Sequence, residues 1–186
     1  HEKWLTMIKQ EIIDSGLIID ILNAKTMEAV FRLLQGCSFL GSFLAYQYTI
    51  DMNYSPYINF SENDFVKAGI GAIRGIKKCF LCYGNKCEDA IWYVKEHFND
   101  LLKRYGYTSF HPLPGHEPTL IDLQNCFCET DKYLRAKMPE LRIGNVRIKQ
   151  KYMPHTDPIQ FFFPPKWYIV EMYKYKPIVV PTLFDL

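Results

Sequence analysis

Apolar residues recur along most of this chain at helical spacing. Trp4, Ile8 and Ile12, then Leu17, Ile18 and Ile21 with Gly16 between, predict one helix and a short second one within Glu2 to Asn23. Thr26 is placed to cap a helix to about Gln35, and after the break at Gly36, Ser38 is placed to cap another through about Asp51. Asn53, Tyr54, Ser55 and Pro56 read as a turn. Ser61, with Asp64 three residues on, is a capping-box-like start for a short helix ending at Ala68. A glycine-rich stretch follows, then a helix from Ala72 to Phe80. Cys87 to Tyr105 predicts one longer helix with Ile91, Val94, Phe98, Leu101 and Leu102 on its apolar side. After the proline-rich loop His111 to Pro118, Thr119 caps the run LIDLQNCFCETDKYLRAK, with Leu123, Cys126, Phe127, Thr130 and Leu134 as its core face. Beyond Pro139 the pattern changes. Ile143, Val146 and Ile148 alternate with Arg147 and Lys149, which reads as a short strand or hairpin. Pro154, Pro158, Pro164, Pro165, Pro177 and Pro181 then predict an extended tail anchored on the helical body by its aromatics. The expected organisation is an all-α, mainly helical unit over 1–138, with 139–186 a basic, proline- and aromatic-rich extension packed on the same domain.

Composition narrows the class. A chain of 186 residues suits one domain, and 48% hydrophobic with 23% charged residues excludes a disordered or fibrous protein. The net charge of +2 conceals an asymmetry: His1 to Asp64 holds four basic against eight acidic residues, and Lys132 to Lys151 holds seven basic residues against Glu140 alone. Such a basic stretch fits a polyanionic partner or a solvated surface. No run of 18 apolar residues offers a membrane span. HEKWLTMIKQ lacks the hydrophobic block of a signal peptide, and six cysteines without a secretory cue point to a reducing, intracellular setting. That setting would be nuclear in a eukaryote and cytoplasmic for a bacterial or viral protein.

The stretch VKAGIGAIRGIKKCF concentrates three of the ten glycines. Helix, Gly-Ile-Gly turn and helix over about 61–80 is the layout of a helix-hairpin-helix. In that layout glycines permit positive φ, and the free N–H groups of the next helix bind a phosphate oxygen. Gly69 and Gly71 would approach the backbone, with Arg74, Lys77 and Lys78 reinforcing the contact and Arg135, Arg142, Arg147 and Lys149 extending the basic surface. The alternative is a tight helical corner with Gly71 as a cap. The spacing excludes a P-loop and a dinucleotide fingerprint.

Two polar stripes border apolar faces. In the helix after Thr119, Asp122, Asn125, Glu129 and Lys132 lie within about 80° beside the core face, where a carboxylate acquires a useful pKa and still reaches a substrate. Asp122 also fits a capping box with Thr119, and Glu129 a salt bridge to Lys132. In the earlier helix Leu40, Leu44, Gln47 and Asp51 share a face, so two polar groups continue a line of core residues. They either tie down the turn after them or line a pocket. Cys79, Cys82 and Cys87 present C-x2-C-x4-C, which departs from zinc-site spacing, and Cys126 and Cys128 diverge on a helix; reduced structural cysteines are expected, with no metal and no cofactor.

Three segments in order, FLGSFLAYQYTIDMNYSP, FSENDFVKAGIGAIRGIKKCF and TLIDLQNCFCETDKYLR, resemble the helical domain of 5-hydroxymethyluracil DNA kinases and the related α-glutamyl/putrescinyl thymine pyrophosphorylases, together the DNA base hypermodification proteins. The resemblance covers roughly Met27 to Arg135. It implies an all-α, DNA-glycosylase-like fold with a helix-hairpin-helix, acting on a 5-substituted (hydroxymethyl, phosphorylated or further modified) thymine or uracil in DNA. The motif positions include Gln47, Asp51, Asn53, Glu62, Gly69, Gly71, Gly75, Asp122, Gln124, Glu129 and Lys132. Ser42 and Ile70 stand where the family pattern has proline, marking a divergent member.

On this reading Glu129, Asp122 and Asp51 would be catalytic in a transferase- or pyrophosphorylase-like reaction, and Gln47, Asn53, Tyr54, Glu62, Gln124, Asn125 and Lys132 would contact the flipped base. The expected partner is double-stranded DNA with a modified base, with a protein partner or a fused kinase-type domain beside it. A glycosylase using Asp89, 18 residues after Gly71, is a second enzymatic option. A non-catalytic reader and a protein-interaction scaffold are the other classes.

Overall fold

The computed structural model describes residues 1–142 and 163–169. Among these the chain is helical, with no strand and one isolated bridge between Leu113 and His116. The strand expected around Ile143 to Lys149, including Arg147 and Lys149, lies outside the described residues.

Helix α1 (Glu2–Met7) runs into a π-helical segment (Ile8–Asp14), and Gly16, at φ 80°, turns the chain into α2 (Leu17–Asn23). Helix α3 (Met27–Gln35) starts at Thr26, whose Oγ1 accepts the Ala29 N–H at 3.1 Å. Met27, Val30, Phe31 and Leu34 form its buried stripe. Helix α4 (Ser42–Asn53) begins later than its sequence suggests. The Ser38 N–H donates to Glu11 Oε2 at 2.7 Å, and Phe39 turns left-handed at φ 63°, so Gly41 takes the N-cap position instead of Ser38. The face that α4 buries is Ala45, Tyr46, Thr49, Ile50 and Asn53, against α3 and the ring of Phe65. Gln47 is half-buried and Asp51 is exposed, so the expected Gln47/Asp51 line does not continue the core.

Residues 61–69 hold no helix. Ser61 Oγ accepts the Asn63 N–H at 3.1 Å and closes a single turn, after which the chain runs extended, with Val66 and Ala68 inward. Only the second half of the expected helix-hairpin-helix is therefore helical: α5 (Ile70–Cys79). Buried Glu88 anchors the segment before it, where its Oε1 accepts the Ala68 N–H at 3.1 Å and Lys67 Nζ at 2.7 Å. Burial alone would raise the Glu88 pKa, but these two donors outweigh it and hold the carboxyl below its ordinary range.

The long helix expected from Cys87 to Tyr105 is two, α6 (Cys87–Glu96) and α7 (Phe98–Arg104). His97 separates them: its N–H and its ring Nδ1 both contact the Tyr93 carbonyl, at 3.0 and 2.9 Å, and its ring stacks on that of Tyr93. Helix α8 (Leu120–Lys137) carries the predicted capping box, with Asp122 Oδ2 accepting the Thr119 N–H at 2.8 Å. Its buried face is Leu120, Ile121, Leu123, Gln124, Phe127 and Asp131. Cys126, expected inside, is exposed, because α5 packs over the Phe127, Cys128 and Asp131 side of the helix.

The α5–α8 crossing explains the glycines. A Cβ at Gly75 would lie 2.1 Å from the Phe127 carbonyl oxygen, and one at Gly71 would lie 3.1 Å from Cys128 Sγ. Glycine four residues apart makes one bare face on α5, and the backbones close to a distance no side chain allows. No φ in this stretch is positive.

Candidate functional site

The expected phosphate cradle is closed from within. Gly69 caps α5 at φ −74°, and a Cβ there would meet the Phe43 ring at 3.1 Å and Gln124 Nε2 at 3.3 Å. Lys78 points inward, with its Nζ 2.7 Å from Asp131 Oδ1; the two side chains are 3% and 2% exposed. Arg135 joins them, its Nε 3.1 Å from Asp131 Oδ2. Lys78 and Arg135 thus neutralise a buried carboxylate, which must be paired at that depth. Of the other basic groups expected on a DNA backbone, Lys77 is exposed, Arg74 is half-buried, and Arg142 is exposed with its Nε donating to the Arg135 carbonyl at 3.1 Å.

Glu129 stands apart from the other two carboxylates expected to act with it, Asp122 and Asp51, which both act on the Tyr54 hydroxyl. Glu129 sits on the surface, paired with Lys132 at 2.6 Å with side chains 66% and 58% exposed. It lies seven residues along α8 from Asp122, about 10 Å of helix rise. Asp51 and Asn125 are exposed. Asp89, the glycosylase-type option, caps its own helix, with Oδ2 accepting the N–H groups of Asn85 and Lys86 at 2.9 and 3.1 Å.

What does converge lies where the end of α4, the turn at 60–62 and the loop before α8 meet. Buried Asn53 clamps Phe60, accepting its N–H at 2.8 Å and donating Nδ2 to its carbonyl at 3.1 Å. That clamp fixes the position of Glu62 two residues on. Asp122 Oδ2 takes Thr119 Oγ1 at 2.9 Å and lies 3.2 Å from His116 Nε2, so the helix cap also orients the imidazole. Tyr54 lies close to the carboxylates. Burial first, then Glu62, Asp122 and Asp51, raise the pKa of its hydroxyl, and burial first, then Tyr54, Asp122 and Glu62, raises that of Tyr46, so both stay protonated at neutral pH.

The tail enters this cleft. Trp167 stacks on His116 with ring centroids 3.6 Å apart and planes 23° from parallel, meets Tyr54 edge-on at 5.7 Å, and donates its indole N–H to Glu62 Oε2 at 2.8 Å. Lys166 Nζ donates to the carbonyls of Asn53 and Phe60 at 3.0 and 3.2 Å, and burial lowers its pKa against the opposing pull of Glu62. Glu62 is 8% exposed, and its Oε1 has no hydrogen-bond partner. On neighbouring turns of α4 and α8, Gln47 Nε2 and Gln124 Oε1 are likewise buried without partners.

His116, Lys166 and Trp167 carry no motif and stand outside the residues expected at the site. The available signals were the second histidine of a proline-rich loop, HPLPGHEP, and a tryptophan after two prolines, with nothing to join them. Among the described residues no three His, Cys, Asp or Glu side chains cluster to hold a metal ion; Cys79 and Cys82 are exposed, and burial raises the thiol of half-buried Cys87. No described helix is long and apolar enough to cross a membrane.

The family model for the 5-hmdU DNA kinase helical domain matches residues 1–143. The chain therefore belongs to that family, which ties it to the metabolism of modified thymine or uracil bases in DNA. Neither a curated protein nor a solved structure is similar enough to count as a match.

Proposed function

We propose that this chain binds DNA at a 5-substituted thymine or uracil, turns the base out of the stack and presents it for hypermodification. One observation carries the reading: three groups expected at the base, Asn53, Tyr54 and Glu62, and one expected to be catalytic, Asp122, meet in a single cleft whose buried carboxylate keeps one oxygen unpartnered. Unsatisfied polar atoms are costly in a packed interior and accumulate where a ligand completes them. Glu129, exposed and paired with Lys132, does not join Asp122 and Asp51 as one acid-base unit. The role favoured is accordingly to hold the base while another domain or partner alters its 5-substituent. DNA contact would fall to the outward basic groups Arg74, Lys77 and Arg142.

The test is to incubate the chain with duplexes carrying thymine, 5-hydroxymethyluracil or its phosphorylated form, and to measure both retention and the nucleoside masses after digestion. Selective retention of a modified duplex with unchanged masses is expected. A new or missing mass would make the chain itself an enzyme, and no retention at low salt would remove DNA from its function.

A further inference from the structure

The contacts of Trp167 are those a flipped base would need. Enzymes that receive a base hold it by stacking on a flat side chain and by hydrogen bonds to its edge. Here His116 supplies the stacking face, Tyr54 closes one side, and Glu62 accepts an in-plane N–H. The indole sits in a short helical turn (Pro165–Trp167) and is only half-buried. It packs on polar and aromatic groups, where a core tryptophan would be enclosed by aliphatic side chains. It also leaves the cleft incompletely satisfied. An indole has one N–H to give, and Glu62 Oε1 remains buried with nothing to accept.

Resting on the base-presenting role proposed above, we infer that the cleft of Tyr54, Glu62 and His116 is the binding site for one planar nitrogen heterocycle of nucleobase size with an N–H donor. Trp167 is the chain's own occupant of it, so tail and base bind in alternation. Lys166 serves the occupied form. Its contacts are to the main-chain carbonyls of Asn53 and Phe60, so they hold the tail in place and are released with it. A base must displace the docked tail, and its apparent affinity falls by the fraction of molecules in which the cleft is open.

The test compares the full chain with Trp167→Ala, Trp167→Phe and the double variant Trp167→Ala/Glu62→Leu, each checked for folding by thermal melting. The probes are a duplex with a single 5-hydroxymethyluracil, the same duplex with an abasic analogue at that position, and free 5-hydroxymethyl-2′-deoxyuridine. Trp167→Ala is expected to bind the modified duplex about tenfold more tightly than wild type and to gain nothing on the abasic duplex. Trp167→Phe, with a ring but no N–H, should fall between, and Glu62→Leu, which has no acceptor, should cancel the gain. An equal gain on the abasic duplex, or no gain, would overturn the inference and leave DNA binding standing. If no variant retains any duplex, the DNA role fails and the free nucleoside decides the pocket. Binding to Trp167→Ala that is lost in the double variant supports the inference, and no binding overturns it.

Discussion

The middle of α8 and its N-terminal end meet their neighbours in opposite ways. At Phe127 and Cys128 the helix lies against the bare glycine face of α5, with backbone on backbone and an ion cluster of Lys78, Asp131 and Arg135 beside it. At Thr119 and Asp122 it borders a cleft of aromatic rings and carboxylates where a replaceable side chain sits and one buried oxygen has no partner. Glycine density accompanied the first region and marked close packing. In the second, a carboxylate oxygen buried without a hydrogen bond lies beside stacked aromatic rings, and that combination is the better guide to where a ligand goes.

Substitutions can break or sharpen this contrast. Gly75→Ala should have the largest effect, upwards of about 3 kcal/mol in denaturant unfolding, since the new methyl meets a carbonyl of the opposite backbone that cannot rotate away. Gly71→Ala faces the Cys128 side chain and should cost under about 1 kcal/mol. Equal costs at the two positions would mean that the crossing is not set by backbone contact. Lys78→Ala should cost about 3 kcal/mol, because Asp131 loses one of its two cations at depth. A change below about 0.5 kcal/mol would return Lys78 to the surface role that its sequence position suggests.

Glu88→Gln should cost about 1–2 kcal/mol, from the loss of the charge-assisted bonds to Lys67 and Ala68. Because the folded pKa of Glu88 lies below its unfolded value, its contribution is present above the ordinary carboxylate range and is lost as pH falls through the lowered folded value. The wild type should therefore lose its margin over Glu88→Gln on acidification, and a constant margin would assign the stabilisation elsewhere. Glu129→Ala is the smallest, within about 0.5 kcal/mol and without effect on base selection, as befits an exposed pair.

The helices and their caps were legible because their signals are local. Thr26 accepts an N–H three residues on, Thr119 donates its own N–H to Asp122 three residues on, and a stripe such as Met27, Val30, Phe31 and Leu34 shows within one helix. The glycine stretch misled for the same reason: Gly71 and Gly75 serve a close crossing as well as a phosphate loop, and the partner that decides between them, Phe127, is 52 residues away. The spacing of four between them, more than the Gly-Ile-Gly triplet, was the informative signal. Asn53, Glu62 and Asp122 stand at family motif positions, Asp122 also on a helical stripe, and Tyr54 lies in the turn beside Asn53. Trp167 and His116 have no such signal, since stacking between a loop and a tail leaves no periodicity to read.

The contact between Trp167 and Glu62 spans 105 residues of chain, and every other wall of the cleft is complete once Asp122 is in place. Closing so long a loop is slow compared with forming helices whose contacts are local. At about 5–20 residues per second of synthesis, the 44 residues from Asp122 to Lys166 take roughly 2–9 s to emerge. Each newly made molecule thus passes through a stage in which the helical body can fold before its plug exists, and the open cleft precedes the closed one in the life of every copy.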